Sequence, residues 1–362
     1  MFLFTPCQVG AETTLKKEIR RLFPEYRAAF GRPGFVTFKV PDDEMDPDDV
    51  VFELAERSVF TRSAALSIGR IDADDIKQIA EETWRIAEEN GRYVNRIHVY
   101  SRDPFPPGER GFEPGLTPEN RELHHAIFES TPQPKFLGFG SGDPEHPAFL
   151  DETVLNVVRT DPGKYMVGLH TVMADSSIQA YYPGGLMPIR IPGDAVSRAW
   201  LKFEEGLRWS GFPIGRGTCC LDIGASPGGG SQVLLSRGAK VLGVDPAEMA
   251  PVVLSNPNFT HIRGRINQTK RSLYKDVRWV ISDMNVAPNY TFDVLEELVS
   301  RRDTNIHGML FTLKLFQWKL ADELPKARKW FDRWLFDEVR IKQLAFNRQE
   351  VMVAARKSRT KN

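Results

Sequence analysis

Cysteine is scarce in this chain. Three occur among 362 residues, Cys7, Cys219 and Cys220, the last two adjacent inside an apolar segment. Such usage argues against a disulfide scaffold and a structural zinc site, and it fits a reducing cytoplasm, where the protein is expected. Long hydrophobic runs are missing too, and none reaches the ~18 residues of a membrane span. The opening MFLFTPCQVGAETTLKKEIRRLF has no basic stretch ahead of its apolar residues, so it reads as a strand and a helix and not as a secretory signal. His124 and His125 have no acidic or cysteine partner at ligand spacing, and no metal is expected. Internal repeats and low-complexity segments are absent. So is net charge: 48 Lys and Arg balance 48 Asp and Glu.

That balance hides an asymmetry. Residues 1–190 hold 21 basic and 30 acidic side chains, a net −9, whereas residues 191–362 hold 27 and 18, a net +9. The segment PDDEMDPDD (41–49) concentrates acid, and Arg263, Arg265, Lys270, Arg271, Lys275 and Arg278 concentrate base. A basic face permits contact with phosphates, although ordinary solvated charge gives the same count.

The length allows two domains, since single cores rarely grow beyond ~250 residues. Residues 1–180 mix patterns: FLFTPC, GFVTFKV and RIHVYSR as strands, AETTLKKEIRRLF and 73–90 as helices, and VLNVVRT with KYMVGLHTV as a hairpin about DPGK. PDDEMDPDD and the proline-rich 101–120 read as loops, and the Gly- and Pro-rich 181–195 as a linker. From residue 196 strands and helices alternate. TCCLDIGA, AKVLGVD, FTHIRG, DVRWVISDM and GMLFTLKLF are apolar strands, with GGSQVLLSRG, FDVLEELVSRR and ADELPKARKWFDRWL as helices. DEVRIKQLAFNRQEVMVAAR closes the chain as an antiparallel pair. This rhythm predicts an α/β, Rossmann-like seven-stranded sheet, parallel but for the terminal hairpin, behind an α+β domain.

The strongest motif is L-D-I-G-A-S-P-G-G-G (221–230), which follows a strand and opens a helix. Free N–H groups and the helix dipole favour an anionic ligand there, and glycines let the backbone approach it. Asp245 ends the next strand, 21 residues after Gly224, where a carboxylate can accept both hydroxyls of a ribose. The loop is not G-x-G-x-x-G, and Pro227 is unusual for a dinucleotide turn, which weakens a nicotinamide reading.

Gly224, Ala225, Ser226, Pro227, Gly228 and Gly229 resemble the S-adenosyl-L-methionine loop of the FtsJ-type RNA ribose 2′-O-methyltransferases. That family is marked by a Lys–Asp–Lys–Glu tetrad, and the resemblance implies Lys202 (in AWLKFEE), Asp283 (in ISDM), Lys314 (in TLKL) and Glu350 (in NRQEVMV) as its catalytic members. It implies Asp283 at the cofactor as well. SRAWLKFEEG (197–206) is similar to the linker junction of the RlmM type, which methylates a cytidine of 23S rRNA, and residues 1–180 resemble its THUMP RNA-binding domain. The chain departs from that type at Gly230-Ser231, where a Trp-Thr pair is usual. It departs again at Ala199, which aligns with a cofactor-holding Ser, and at Arg265, which aligns with an Asp near the adenine. The resemblance implies a cytoplasmic, monomeric enzyme acting on rRNA without a membrane.

A ribose hydroxyl must lose its proton as it attacks a methyl group. A lysine can take that proton only when neutral, which calls for a pKa lowered from ~10.4 by burial and a neighbouring cation. Lys314 interrupts the apolar LFTLKLF, where an idle lysine is costly, and is therefore the expected base. Trp318, just beyond it, is a candidate for the ligand crevice. Two other readings compete: an RNA-binding protein of this fold without turnover, and a nicotinamide-dependent oxidoreductase.

Overall fold

A computed structural model describes residues 1–41, 45–133, 137–174, 178–299 and 304–358. The chain forms two compact units, Met1–Pro188 and Ile189–Asn362. No helix among the described residues is long and apolar enough to cross a membrane.

The first unit contains β1 (Phe2–Pro6), α1 (Glu12–Leu22), β2 (Arg27–Arg32), β3 (Phe35–Lys39), α2 (Pro47–Arg57), β4 (Ala65–Asp72), α3 (Ile76–Asn90), β5 (Arg96–Ser101), α4 (Pro118–Glu129), β6 (Thr153–Asp161) and β7 (Lys164–Thr171). Its sheet runs β2-β3-β1-β4-β7-β6-β5, antiparallel except where β5 joins β6. Two of the expected boundaries shift. PDDEMDPDD is not all loop, because the Asp46 side chain accepts the Asp48 N–H and Pro47 takes the first helical position, so α2 starts inside the segment. Asp42, Asp43 and Glu44 of that segment lie outside the described residues. The linker is likewise shorter than 181–195. Pro183–Gly185 form a 3-10 turn, Leu186 and Met187 are buried, and the Gly184 carbonyl accepts from Arg62 Nε at 2.8 Å. The strands β2 and β4 escaped the sequence reading, since β2 is mostly exposed and neither alternates cleanly.

The second unit contains α5 (Ala199–Ser210), β8 (Cys219–Ile223), α6 (Gly229–Ser236), β9 (Lys240–Val244), α7 (Pro251–Leu254), β10 (Phe259–Ile262), β11 (Trp279–Ser282), α8 (Pro288–Val299), β12 (Gly308–Lys314), α9 (Leu324–Arg333), β13 (Glu338–Lys342) and β14 (Glu350–Arg356). The sheet order is β10-β9-β8-β11-β12-β14-β13, with β14 alone antiparallel to its neighbours. Continuous apolar runs such as CCLDI and WVIS are buried, as a sheet covered on both faces requires. The expected helix FDVLEELVSRR is α8 as far as Val299, and Ser300, Arg301 and Arg302 lie outside the described residues. Gly206 lets α5 approach the sheet: a Cβ there would meet Leu310 and Met352 at 3.1 Å. Strand order reverses at β8, so a crevice opens at the carboxyl ends of β8 and β11, the place where such sheets hold ligands.

Candidate active site

That crevice measures about 550 Å³. One wall is the loop that β8 feeds. Gly224 has φ +72°, and a Cβ on it would stand 2.8 Å from Met284 Cγ, so a side chain is excluded by conformation and by space. A Cβ on Gly229 would lie 2.3 Å from Ser197 Oγ. Gly224, Ala225, Ser226, Pro227 and Gly229 line the crevice, whereas Gly228, the N-cap of α6 with φ +122°, stands behind it against Val253.

Asp245 is brought to this loop but not to the crevice wall. Its Oδ2 accepts the Ser226 N–H at 3.1 Å and its Oδ1 the Ala247 N–H at 2.8 Å. The carboxylate therefore braces the loop from behind. Asp222 does line the crevice, fully buried, and accepts Ser231 Oγ at 2.7 Å. Burial pushes its carboxyl up to about 7, opposed by the Ser231 hydrogen bond and assisted by Asp283 and Asp245. Ser231, one of the departures from the RlmM pattern, thus has a local partner.

The four sequence-predicted polar residues converge. Asp283 follows β11, Lys314 ends β12, and Glu350 opens β14 directly opposite Lys314 in the antiparallel register. Lys202 reaches them from α5, which Glu205 fastens to the turn before β14 by accepting the Ala345 and Phe346 N–H groups at 2.9 Å each. Lys202 Nζ lies 2.5 Å from Asp283 Oδ2 and 3.1 Å from Glu350 Oε1. Lys314 Nζ lies 2.6 Å from Asp283 Oδ1 and also bonds Glu350 Oε2. Each lysine bridges both carboxylates, so the charges alternate around a ring. Lys202 is buried and does not belong to a solvated helix face.

The ring corrects one expectation. Lys314 was to have its pKa lowered by burial and a neighbouring cation. Burial does act downward, but Glu350 and Asp283 outweigh it and raise the Lys314 pKa above the usual lysine value. Asp283 behaves in mirror image: burial would raise it, and Lys202 and Lys314 hold it below the usual carboxylate range. As it stands the ring is an ion-pair network with Lys314 charged.

Other residues of the site went unread in the sequence. Thr312 Oγ1 donates to Asp283 Oδ1 at 2.6 Å, from the same face of β12 as Lys314, a period of two that the sequence does carry. Ser197 lines the crevice with a buried Oγ that has no hydrogen-bond partner among the described residues, and it stands where a hydroxyl was missed at Ala199. The aromatic ring in the crevice is the exposed Phe316, while Trp318 and Arg265 are not among the lining residues. An orphaned hydroxyl, a glycine-walled backbone and the N-terminus of α6 suit a polar ligand with carboxylate and hydroxyl groups.

Known proteins resemble this chain in sequence. Residues 195–351 match the FtsJ-like methyltransferase family. The ribosomal RNA large subunit methyltransferase M of Hahella chejuensis is 28% identical over 206 residues, 53% of this chain and 51% of that protein. The proteins of that name from Pectobacterium atrosepticum and Xylella fastidiosa M23 are 27% and 29% identical over 225 and 179 residues, covering 57% and 47% of this chain and 58% and 50% of their own. The chain thus spans about half the length of the curated relatives it matches. With its strand order, glycine loop and charged ring, the region of residues 195–351 is an FtsJ-like methyltransferase domain.

Proposed function

We propose that this protein transfers a methyl group from S-adenosyl-L-methionine to a ribose 2′-hydroxyl of RNA, with large-subunit rRNA as the substrate and a cytidine of 23S rRNA as the target. The observation that carries the reading is the ring of Lys202, Asp283, Lys314 and Glu350 on the rim of a glycine-walled crevice. Binding dinucleotides needs no such ring, and a protein that only bound RNA would not need four charges paired around one crevice. The matched methyltransferases of the large ribosomal subunit point the same way.

The residues fit the cofactor. Gly224 to Pro227 and Gly229 would lie along it, Ser197 Oγ would supply a hydrogen bond to a carboxylate or hydroxyl, and Asp245 would act at the ribose through the loop it braces. When bound, this cofactor supplies an electrophilic methyl carbon on a cationic sulfur. Lys314 first releases its ammonium proton to solvent, and the neutral amine then takes the proton of the attacking hydroxyl. The ring pairs Lys202 and Lys314 with Asp283 and Glu350, and a cation bound in the crevice would disfavour the ammonium form of Lys314. Asp283 and Glu350 hold both lysine nitrogens in place, and Lys202 helps keep Asp283 ionised and receptive to the ribose hydroxyls. Phe316, exposed at the crevice, offers a face on which the target base can stack.

On this reading the first unit is a THUMP-like RNA-binding domain that positions the substrate and takes no part in the chemistry, and the enzyme works as a monomer in the cytoplasm. The test is to map ribose methylation in rRNA from cells lacking the protein, then restore the missing mark with purified protein and S-adenosylmethionine. Loss of one 23S ribose methylation, restored by wild type and not by Lys314→Met, is expected. An unchanged map would overturn the proposal.

A further inference from the structure

The parallel sheet of the second unit has another edge, at the amino ends of its strands, roughly 15–20 Å from the crevice given strands of five residues. A cleft of about 620 Å³ opens there. Its walls include Arg216, Lys240, Arg278 and His307, with Asp276 as the carboxylate among them. The placement is ordered by the backbone. Lys240 N–H donates to the Thr218 carbonyl at 2.8 Å, Arg278 N–H to Cys219 at 3.0 Å, His307 N–H to Arg278 at 2.7 Å and Lys357 N–H to His307 at 2.9 Å. One cationic or imidazole side chain thus stands at the start of β9, one before β11 and one before β12, while Lys357, after β14, lies beyond the cleft with its ammonium over the Phe336 ring. Arg216 adds another to the cleft, before β8.

These groups have little to neutralise them. Among the described residues no ion pair engages Arg216, Lys240, Arg278 or Lys357, and Asp276 is exposed. Burial together with the charges of Arg278 and Lys357 lowers the His307 pKa, which marks the field there as positive. Two main-chain carbonyls, of Lys275 and Val277, accept from one terminal nitrogen of Arg278 at 3.1 Å. Its other nitrogens have no hydrogen-bond partner among the described residues. Arg216, Lys240 and Arg278, gathered in one cleft with no ion-pair partner among the described residues, are the electrostatic footprint of a phosphate-binding surface.

We propose that this amino-edge cleft binds phosphates of the substrate RNA, anchoring a segment remote from the ribose being methylated. The inference rests on RNA being the substrate. The alternative is that these cations only complement helix C-termini and stay solvated.

The test uses the full chain and 23S rRNA from cells lacking the protein, with filter binding across a salt series and methylation kinetics in parallel. The triple variant Arg216→Gln, Lys240→Gln, Arg278→Gln should weaken binding at least tenfold near 0.15 M salt. It should also flatten the slope of log affinity against log salt by about 2–3, one for each phosphate that the variant leaves without a cation. The methylation rate at saturating RNA and S-adenosylmethionine affinity should stay within twofold, which a merely structural role would not separate. Asp276→Asn, which removes an exposed carboxylate and leaves the fold undisturbed, should strengthen binding. Wild-type methylation with unchanged affinity and slope in both variants would overturn the cleft while leaving the RNA reading intact. A wild-type protein that neither binds nor methylates this RNA would overturn both.

Discussion

Replacing Lys314 separates the two things it does. In the structure its ammonium bonds both Asp283 and Glu350, each of which otherwise keeps Lys202 as its cationic partner among the described residues. Lys314→Met keeps most of the side chain's length and removes the charge, leaving two carboxylates against one lysine. Breaking a buried pair in this way costs roughly 3–5 kcal/mol. The sign with pH follows from the raised Lys314 pKa: its stabilisation is full below the ordinary lysine value and fades only as pH rises through the folded one, so the deficit should be constant across neutral pH. Lys314→Arg restores the charge and should recover most of the stability, less about 1–3 kcal/mol for its extra bulk. It should not recover the chemistry, because a guanidinium holds its proton at working pH. Losing a positioned base slows transfer about 10²–10⁴-fold. Denaturant unfolding at constant slope reads the first effect, and single-turnover methylation of unmethylated 23S rRNA reads the second. If Lys314→Met retained more than about a tenth of the wild-type rate, or Lys314→Arg were active, the base would lie elsewhere, with Lys202 the next candidate.

Other outcomes are expected. Asp245→Ala should weaken S-adenosylmethionine at least tenfold, about 1.4 kcal/mol, by calorimetry, since the loop loses its brace at Ser226; unchanged affinity would remove it from the site. Ser197→Ala should weaken the same ligand by about 0.5–1.5 kcal/mol while leaving thermal stability unaltered, because its hydroxyl has no partner among the described residues. For Asp222 the raised pKa means that the folded state holds a proton the unfolded chain has lost between about pH 4 and 7, so this group's contribution to stability declines across that window. Asp222→Asn should therefore stabilise the free protein above pH 7, by an amount on the order of 4 kcal/mol, and not at pH 4; equal unfolding curves at pH 8 would refute it. A fragment of residues 189–362 should bind S-adenosylmethionine yet methylate rRNA poorly, and full activity in it would show that the first unit is dispensable.

The class of the second unit was legible in the sequence because its signals are local, whereas the members of the charged ring were legible through the resemblance to the FtsJ-type family. Apolar runs of strand length, a glycine loop between strand and helix, and polar residues at the ends of such runs are statements about neighbours in the chain. Asp283 and Lys314 could be set on adjacent strands from strand order alone, and the structure has them 2.6 Å apart. The edges of elements were harder. The side chain of Asp46 caps α2 inside what read as an acidic loop, and the exposed strand β2 is held by its register with β3. Tertiary structure alone decided the protonation of the site. Burial argued for a neutral Lys314, but the facing register of β12 and β14 sets Glu350 against it and α5 brings in Lys202, so partners far apart in sequence outweigh the local apolar strand. It also decided that Ser197 and not residue 199 offers its hydroxyl, that Phe316 and not Trp318 lines the crevice, and that Asp245 braces the loop. The physical reason is common to all four. A pattern along the chain says which residues are buried, but electrostatic energy depends on distances of about 3–4 Å, and those are set only when helix and sheet pack.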